Sequence, residues 1–165
     1  MHPILDDGCL QAPGPLLSCD PQTLLEQARA LRSTARDGTL QQPLRGKRLG
    51  LLCEHEEDPD AELFRRAACE LGADVAHVRL PLPSLDSAPH VEHTARVLGR
   101  LYDALECQGM PHGLVERIRQ HANVPVYDGL ACASHRIAGL ARQLDAPPED
   151  ARRYVLQAAL LASLV

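Results

Sequence analysis

The sequence has few aromatic side chains and no excess of positive charge. Of its 165 residues, three are Tyr, one is Phe and none is Trp, and the formal net charge is −5. Base-stacking surfaces need aromatic rings, and a nucleic-acid interface needs clustered lysine and arginine. These shortages argue against a nucleic-acid-binding protein and leave leucine, alanine and valine to build the core.

Long apolar runs and closely spaced cysteine pairs are also missing. The longest apolar stretch, residues 155–165, is interrupted by Gln157 and Ser163 and is too short to span a bilayer. No basic segment followed by an apolar run opens the chain, so we expect neither a signal peptide nor a membrane partner. The six cysteines contain no C-x-x-C pair, which is typical of reduced thiols in a cytoplasmic protein.

Apolar segments of strand length alternate with segments of helical periodicity. Strands are expected at residues 49–53, 75–80, 104–107 and 124–127. This alternation predicts an α/β fold, in which a four-stranded parallel sheet carries helices on both faces. If the strand order is 2-1-3-4, the binding crevice lies beyond Cys53 and Cys107.

The chain length fits one domain with its own core. Residues 1–16 are rich in proline and glycine, so we expect an irregular arm there. Asp20 followed by Pro21 predicts the start of the first helix. Residues 17–165 form the single predicted unit, which is closed by a C-terminal helix after Pro148.

An acidic turn connects the first strand to its helix. A helix start after a strand is a common anion site, because free N–H groups and the helix dipole point there. Here the segment carries six carboxylates, at Glu54, Glu56, Glu57, Asp58, Asp60 and Glu62. Each stabilises a helix start by about 0.3–1 kcal/mol and repels a phosphate. The turn is therefore either a helix cap or a site for a divalent cation or a basic partner.

Two further groups allow a functional and a structural interpretation. His90 and His93, near a helix start, are typical either of a solvated helix end or of a metal site completed by an acid. Cys53 and Cys107 end strands at the crevice, as inert buried thiols or as redox groups. We favour the structural interpretation of both, and predict no catalytic residue, no metal and no cofactor.

Several segments resemble the ornithine and aspartate carbamoyltransferase family, in its N-terminal, carbamoyl-phosphate-binding domain. Residues 91–103, VEHTARVLGRLYD, resemble the helix after the family's mobile loop, and TARVLGR is the most specific part. Residues 123–135, NVPVYDGLACASH, resemble the segment that leads to the family's His-Pro-Thr-Gln motif. Residues 44–47, LRGK, resemble the entry to its first strand. The resemblance covers about residues 17–144 and implies this domain's fold.

The chain departs from the site residues that this resemblance implies. The family's Ser-Thr-Arg-Thr-Arg phosphate loop falls on Glu57, Asp58, Pro59, Asp60 and Ala61. Both arginines are absent, and Pro59 also removes a backbone N–H donor. The arginine after the third strand falls on Gln108, and only His135 remains of His-Pro-Thr-Gln. His135 is then either a remnant that polarises a carbonyl or a structural histidine.

The resemblance also implies a second domain that binds the amino-acid substrate, for which this chain has no room. Residues 150–164 resemble the family's final helix, in which Arg152 matches the motif. We therefore expect a non-catalytic carbamoyltransferase-like protein that acts as an assembly or regulatory partner. The alternatives are a small-molecule or metal-binding enzyme or receptor with a remodelled acidic crevice, or residual binding of the family's ligands.

The resemblance further implies a homo-oligomer, because family members associate as trimers through this domain. The final helix is apolar around much of its circumference, more than a one-sided surface helix needs. We expect the N-terminal arm, the segment at Pro147 and Pro148, or another subunit to cover it. A homotrimer is favoured, and a dimer is the alternative.

Overall fold

A computed structural model describes residues 19–80, 87–132 and 135–165. The predicted arm at residues 1–16 lies outside the described residues. The elements, in chain order, are α1 (Pro21–Arg36), β1 (Arg48–Leu52), α2 (Pro59–Glu70), β2 (Asp74–Val78), α3 (Ala88–Leu101), β3 (Ala104–Cys107), α4 (His112–Ala122), β4 (Val126–Asp128), a 3-10 helix (Arg136–Gln143) and α5 (Pro148–Leu164).

The four strands are parallel and lie in the order β2-β1-β3-β4. This result confirms the predicted α/β fold, and the observed order is the one on which the expected position of the crevice depends. The central strands β1 and β3 are buried apart from Arg48, at the start of β1. Parallel strands need helical crossovers that cover both faces of the sheet, so buried central strands are expected to be almost wholly apolar.

The two faces of the sheet carry separate apolar cores. On one face, α1, α2, α5 and the 3-10 helix pack around Leu51 and Phe64. On the other face, α3 and α4 pack around Leu52, Leu105 and Ile118. Leu51 and Leu52 belong to different cores because successive side chains of a strand point to opposite faces.

Helices α3 and α4 approach each other most closely at Gly99. A Cβ atom at this position would overlap the carbonyl oxygen of Ala122 and would lie 2.8 Å from its carbonyl carbon. Any larger residue would force the two helices apart, because both neighbouring atoms belong to the backbone. The glycine in the TARVLGR segment therefore has a packing role.

Several strand boundaries and the type of one helix differ from the sequence prediction. Strand β1 runs over Arg48–Leu52 instead of residues 49–53. Strand β2 ends at Val78, where its pairing with Leu52 ends, so it does not reach residue 80. Strand β4 runs over Val126–Asp128 instead of residues 124–127. The segment after His135 is a 3-10 helix rather than an α-helix, because backbone bonds at its two ends join residues three apart.

Helix α5 is covered by the chain's own elements, which corrects part of the argument for assembly. Its residues from Arg153 to Leu160 are buried against α1, α2 and the 3-10 helix. The polar side chain of Gln157 is also buried, and its Nε2 donates to the carbonyl of Ala67 at 3.2 Å and to Glu70 at 2.9 Å. No helix in the described part of the chain has the length and hydropathy needed to cross a bilayer.

Candidate functional site

A cleft lies beyond the carboxyl ends of β1, β2 and β3, where the strand order predicts the crevice. Its lining residues are Leu52, Cys53, Glu54, Val78, Leu80, Gln108, Gly109 and Met110. The inner cavity has a volume of about 20 Å³, which is enough for one water-sized group. The cleft is thus large enough for one small group and opens towards solvent.

Gln108 is a buried polar residue at this cleft. Its backbone N–H donates to the carbonyl of Leu52 at 2.8 Å, which fixes the residue beside the end of β1. The residue is 7% exposed, and its Oε1 has no hydrogen-bond partner among the described residues. A buried amide oxygen without a donor costs about 1–3 kcal/mol.

The two strand-end cysteines are buried and free. Burial raises the pKa of the Cys53 thiol, and the carboxylate of Asp58 adds to the effect. Burial likewise raises the pKa of Cys107, with a further contribution from Glu106. Because the thiolate is the reactive form, these raised pKa values support the interpretation of both residues as inert thiols.

The residues at the family's phosphate-loop positions form the start of α2. Asp58 is the N-cap, and its Oδ1 accepts hydrogen bonds from the backbone N–H groups of Asp60 at 2.8 Å and Ala61 at 3.4 Å. Pro59 is the first helical residue, and Ala61 is fully buried in the core. Glu57 is exposed in the preceding turn. The N–H groups that would bind an anion here are therefore taken by the chain's own carboxylate.

The other carboxylates of the acidic turn differ in how far they are neutralised. Glu56 pairs with Arg65 at 3.1 Å and lies 3.8 Å from the ring of His77. Within the described part of the chain, Glu54 and Glu57 form neither an ion pair nor a side-chain hydrogen bond. Glu54 is exposed and is among the residues that line the cleft, whereas Glu57 is not among the described lining residues.

Arg152 of α5 reaches the start of α2. Its Nη2 lies 3.1 Å from the Oδ1 of Asp60 and donates to the carbonyl oxygen of Ala131 at 2.6 Å. One guanidinium group thus joins α5, the acidic turn and the segment before His135. This ion pair neutralises one of the carboxylates of the acidic turn.

His135 caps the 3-10 helix and does not line the cleft. Its Nδ1 accepts a hydrogen bond from the backbone N–H of Ile137 at 3.3 Å. Burial lowers the pKa of His135, the neighbouring Arg136 lowers it further, and Asp128 opposes the shift. The ring is therefore neutral at pH 7, as a cap that accepts a hydrogen bond requires.

The two histidines considered as metal ligands are exposed near the start of α3. Glu92, which lies between His90 and His93 in the sequence, is 3.4 Å from the ring of His121 on α4. Across residues 19–80, 87–132 and 135–165, no group of three or more His, Cys, Asp or Glu side chains is arranged to hold a metal ion.

Sequence reasoning missed two polar features near the carboxyl edge of the sheet. Glu106 in β3 is fully buried, and its Oε1 accepts a hydrogen bond from the N–H of Leu130 at 3.1 Å. Burial raises its pKa to about 8, against the effect of the nearby backbone N–H groups. The sequence signal for this feature was an acidic residue within the otherwise apolar strand ALEC. The second feature, a 2.7 Å contact between His112 Nδ1 and Asp128 Oδ2, has no local sequence signal.

The strand order and the position of the cleft define a doubly wound α/β protein with a site at its topological switch point. No protein-family profile matches the chain. Ornithine carbamoyltransferase from Actinobacillus pleuropneumoniae serotype 5b is 35% identical over 112 residues, which are 68% of this chain and 34% of that protein. The catabolic ornithine carbamoyltransferase from Pseudomonas putida is 35% identical over the same share of this chain and 33% of its own.

Solved structures of carbamoyltransferases share the fold. Ornithine carbamoyltransferase from Pyrococcus furiosus matches with a TM-score of 0.66 and 28% identity, over 82% of this chain and 42% of its own. Aspartate transcarbamoylase from Trypanosoma cruzi, solved with phosphate, shares the fold at a TM-score of 0.63 and 19% identity, over 82% of this chain and 42% of its own. The chain belongs to the ornithine and aspartate carbamoyltransferase family. It spans about one third of the length of the relatives it matches by sequence.

Proposed function

We propose that this protein is a carbamoyltransferase-like domain that does not transfer carbamoyl groups and acts as an assembly or regulatory partner. The observation that carries the proposal is the cap at the start of α2. Asp58 accepts from the N–H groups of Asp60 and Ala61, and these are the donors that a phosphate at a helix start needs. An anionic ligand would have to displace a carboxylate that is covalently part of the chain.

Electrostatics supports the same proposal. Carbamoyl phosphate is a dianion, and its reaction needs cations and N–H donors around the developing charge. At an effective dielectric constant near 20, one like-charge contact at about 4 Å costs about 4 kcal/mol. A few such contacts abolish micromolar binding. Gln108, at the position of a family arginine, supplies no positive charge to offset them.

Carbamoyl phosphate binding is the direct test of this proposal. We expect calorimetry at low salt to detect no binding of carbamoyl phosphate or phosphate at millimolar concentration, which corresponds to only about −4 kcal/mol. A variant with the family residues at the positions outside the core, E57S/D58T/P59R/D60T, is expected to gain phosphate binding. Saturable binding of either anion by the unchanged protein would contradict the proposal.

Turnover assays complete the test. Neither citrulline nor carbamoyl-aspartate is expected to form above a control without protein, while a full-length ornithine carbamoyltransferase forms citrulline under the same conditions. Product formation by this protein would show that the carboxylates at the start of α2 do not prevent catalysis.

We further propose that the protein is a cytoplasmic homotrimer, with a dimer as the alternative. The family resemblance supports a trimer, and the free cysteines agree with a reducing compartment. Val97 and Leu101 lie one turn apart on α3 and are 40% and 52% exposed, which favours α3 as a contact surface.

Light scattering distinguishes these assemblies. The chain mass is 18.0 kDa, so a threefold mass supports the trimer, a twofold mass replaces it with the dimer, and a single mass refutes assembly. Leu101→Glu is expected to lower the measured mass if α3 forms the contact. Arg100→Gln, which changes the net charge by the same amount at the neighbouring position of the same helix, is the control for charge.

A further inference from the structure

We propose that Glu106 is a proton-dependent latch that holds residues 129–132, the segment after β4, against the sheet. While the Glu106 carboxyl group carries its proton, the segment stays closed. When the proton leaves to solvent, an open form is favoured in which water reaches the carboxylate. The inference goes beyond the proposed function, because the absence of carbamoyl transfer requires no second conformation of the chain.

The latch joins a central strand to an irregular segment. Glu106 is fully buried in β3, and its Oε1 accepts a hydrogen bond from the backbone N–H of Leu130 at 3.1 Å. Strand β3 pairs with β1 and β4 on its two sides, so it cannot move without breaking the sheet. Gly129 has a φ of +65°, a conformation that glycine adopts without strain. The movable partner is therefore the segment, with Gly129 as its hinge.

The surroundings of Glu106 disfavour a negative charge. Its Oε2 is buried and has no hydrogen-bond partner in the described part of the chain. The titratable groups that face it are Cys53 after β1, Cys107 in β3, and Tyr127 and Asp128 in β4, and these can add only negative charge. A buried carboxylate without a cation is strongly destabilised. Burial accordingly raises the pKa of Glu106 to about 8, so the closed form carries the proton at neutral pH.

The cations of the neighbouring helices are bound to other groups. Arg152 of α5 pairs with Asp60 and donates to the carbonyl oxygen of Ala131. Arg119 of α4 pairs with Glu116 at 2.6 Å. Neither guanidinium group forms an ion pair with the buried carboxyl group of β3. Water is therefore the available means of stabilising the carboxylate, and it enters only when the segment opens.

Opening of the segment also changes a contact of α5. The Ala131 carbonyl belongs to the segment and accepts a hydrogen bond from Arg152 Nη2 at 2.6 Å. When this carbonyl moves away, Arg152 keeps only its contact with Asp60. The ring of His135, which caps the next helix, is neutral at pH 7 and supplies no charge to Glu106. The proton on Glu106 thus controls how α5 is tied to the carboxyl edge of the sheet.

Amide hydrogen exchange, measured by NMR spectroscopy at several pH values from about 6 to about 8, tests the latch. The protection factor is the ratio of the intrinsic to the observed exchange rate of an amide. We expect the protection factor of the Leu130 amide to fall about tenfold per pH unit, because opening releases one proton. The Leu105 amide donates to the Pro125 carbonyl within the sheet and is expected to stay more protected at every pH. Equal protection of the two amides would mean that only global unfolding exposes Leu130, and would refute the latch.

Matched variants assign the proton to Glu106. Glu106→Gln keeps the shape without the titration, so the protection factor of Leu130 is expected to be independent of pH. Glu116→Gln removes a carboxylate on the other face of the sheet and is expected to retain the change of about tenfold per pH unit. A change of that size in Glu106→Gln, or its absence in Glu116→Gln, would overturn the proposal.

The carboxyl ¹³C shift of Glu106 gives a measurement that needs no variant. In the unchanged protein, we expect its titration midpoint near pH 8 rather than near the ordinary value of 4.5. A midpoint near 4.5 would show that the closed form already tolerates the charge, and would refute the latch.

Discussion

The guanidinium of Arg152 and the carboxylate of Asp60 lie 3.1 Å apart, although 92 positions separate the two residues in the sequence. The contact joins α5 to the first turn of α2. The resemblance places Asp60 in the family's phosphate loop, so an internal ion pair holds a position where the family implies an external anion.

Arg152→Met is expected to lower the free energy of unfolding by about 1–2 kcal/mol, because it removes partners from both Asp60 and the Ala131 carbonyl. Asp60→Asn is expected to cost less than about 1 kcal/mol, since the half-exposed pair is screened and Arg152 keeps its bond to Ala131. Urea denaturation measures both values. Arg142→Met, at an exposed position, is the control, and an equal loss in Arg142→Met would contradict the role given to Arg152.

Gly99→Ala is expected to destabilise the protein by about 1–3 kcal/mol, because the new methyl group overlaps the backbone of Ala122 and forces α3 away from α4. Gly113→Ala in α4 is the matched control, since a Cβ atom at that position would meet no neighbouring atom within 4 Å. That change is expected to stabilise the helix by up to about 1 kcal/mol. If the close approach is real, the melting temperature falls in Gly99→Ala and rises in Gly113→Ala.

Tyr127 and Ser163 share a hydrogen bond between β4 and the last turn of α5. Ser163 also donates to the carbonyl of Ala159, so the tyrosine hydroxyl is the donor within the pair. Ser163→Ala leaves a buried hydroxyl without a partner and is expected to cost about 1–3 kcal/mol. Tyr127→Phe leaves Ser163 bonded and is expected to cost about 0.5–1.5 kcal/mol. A larger loss for Tyr127→Phe in chemical denaturation would reverse this assignment.

Glu106 is expected to make stability depend on pH. Burial raises its pKa from 4.5 to about 8 in the folded chain, so the folded state holds a proton that the unfolded state releases. The contribution of Glu106 to the free energy of unfolding is fully present below about pH 4.5 and is lost as the pH rises to about 8. Glu106→Gln keeps the shape without the titration. The difference in unfolding free energy between the two proteins should change across this window, and a constant difference would exclude the effect.

The fold was largely predictable from local patterns. Asp20 and Pro21 mark the start of α1, and the apolar segments locate all four strands to within a few residues. The 3-10 helix was not predictable, because Ile137 and Ala141 have the spacing of an α-helix as well. The cover of α5 was also missed, since an apolar circumference shows that a helix is buried but not which element buries it.

The site was predictable in position but only partly in composition. The strand order located the cleft, and Gln108 and Glu54 were recognised as unusual side chains near it. The pairs that shape its surroundings, Arg152 with Asp60 and His112 with Asp128, depend on side chains that are distant in sequence. No periodicity encodes such contacts, because they form only after the sheet and its helices have assembled.

The place of α5 in the chain has a consequence for biosynthesis. It follows every strand in sequence, yet it supplies a large part of the cover over the face that also packs against α1. On the ribosome, the nascent chain therefore exposes part of this apolar surface until α5 has left the exit tunnel, because α1, α2 and the 3-10 helix cover only the rest of it. A chaperone that binds exposed apolar segments has its substrate during this interval. Closure of this core waits for α5.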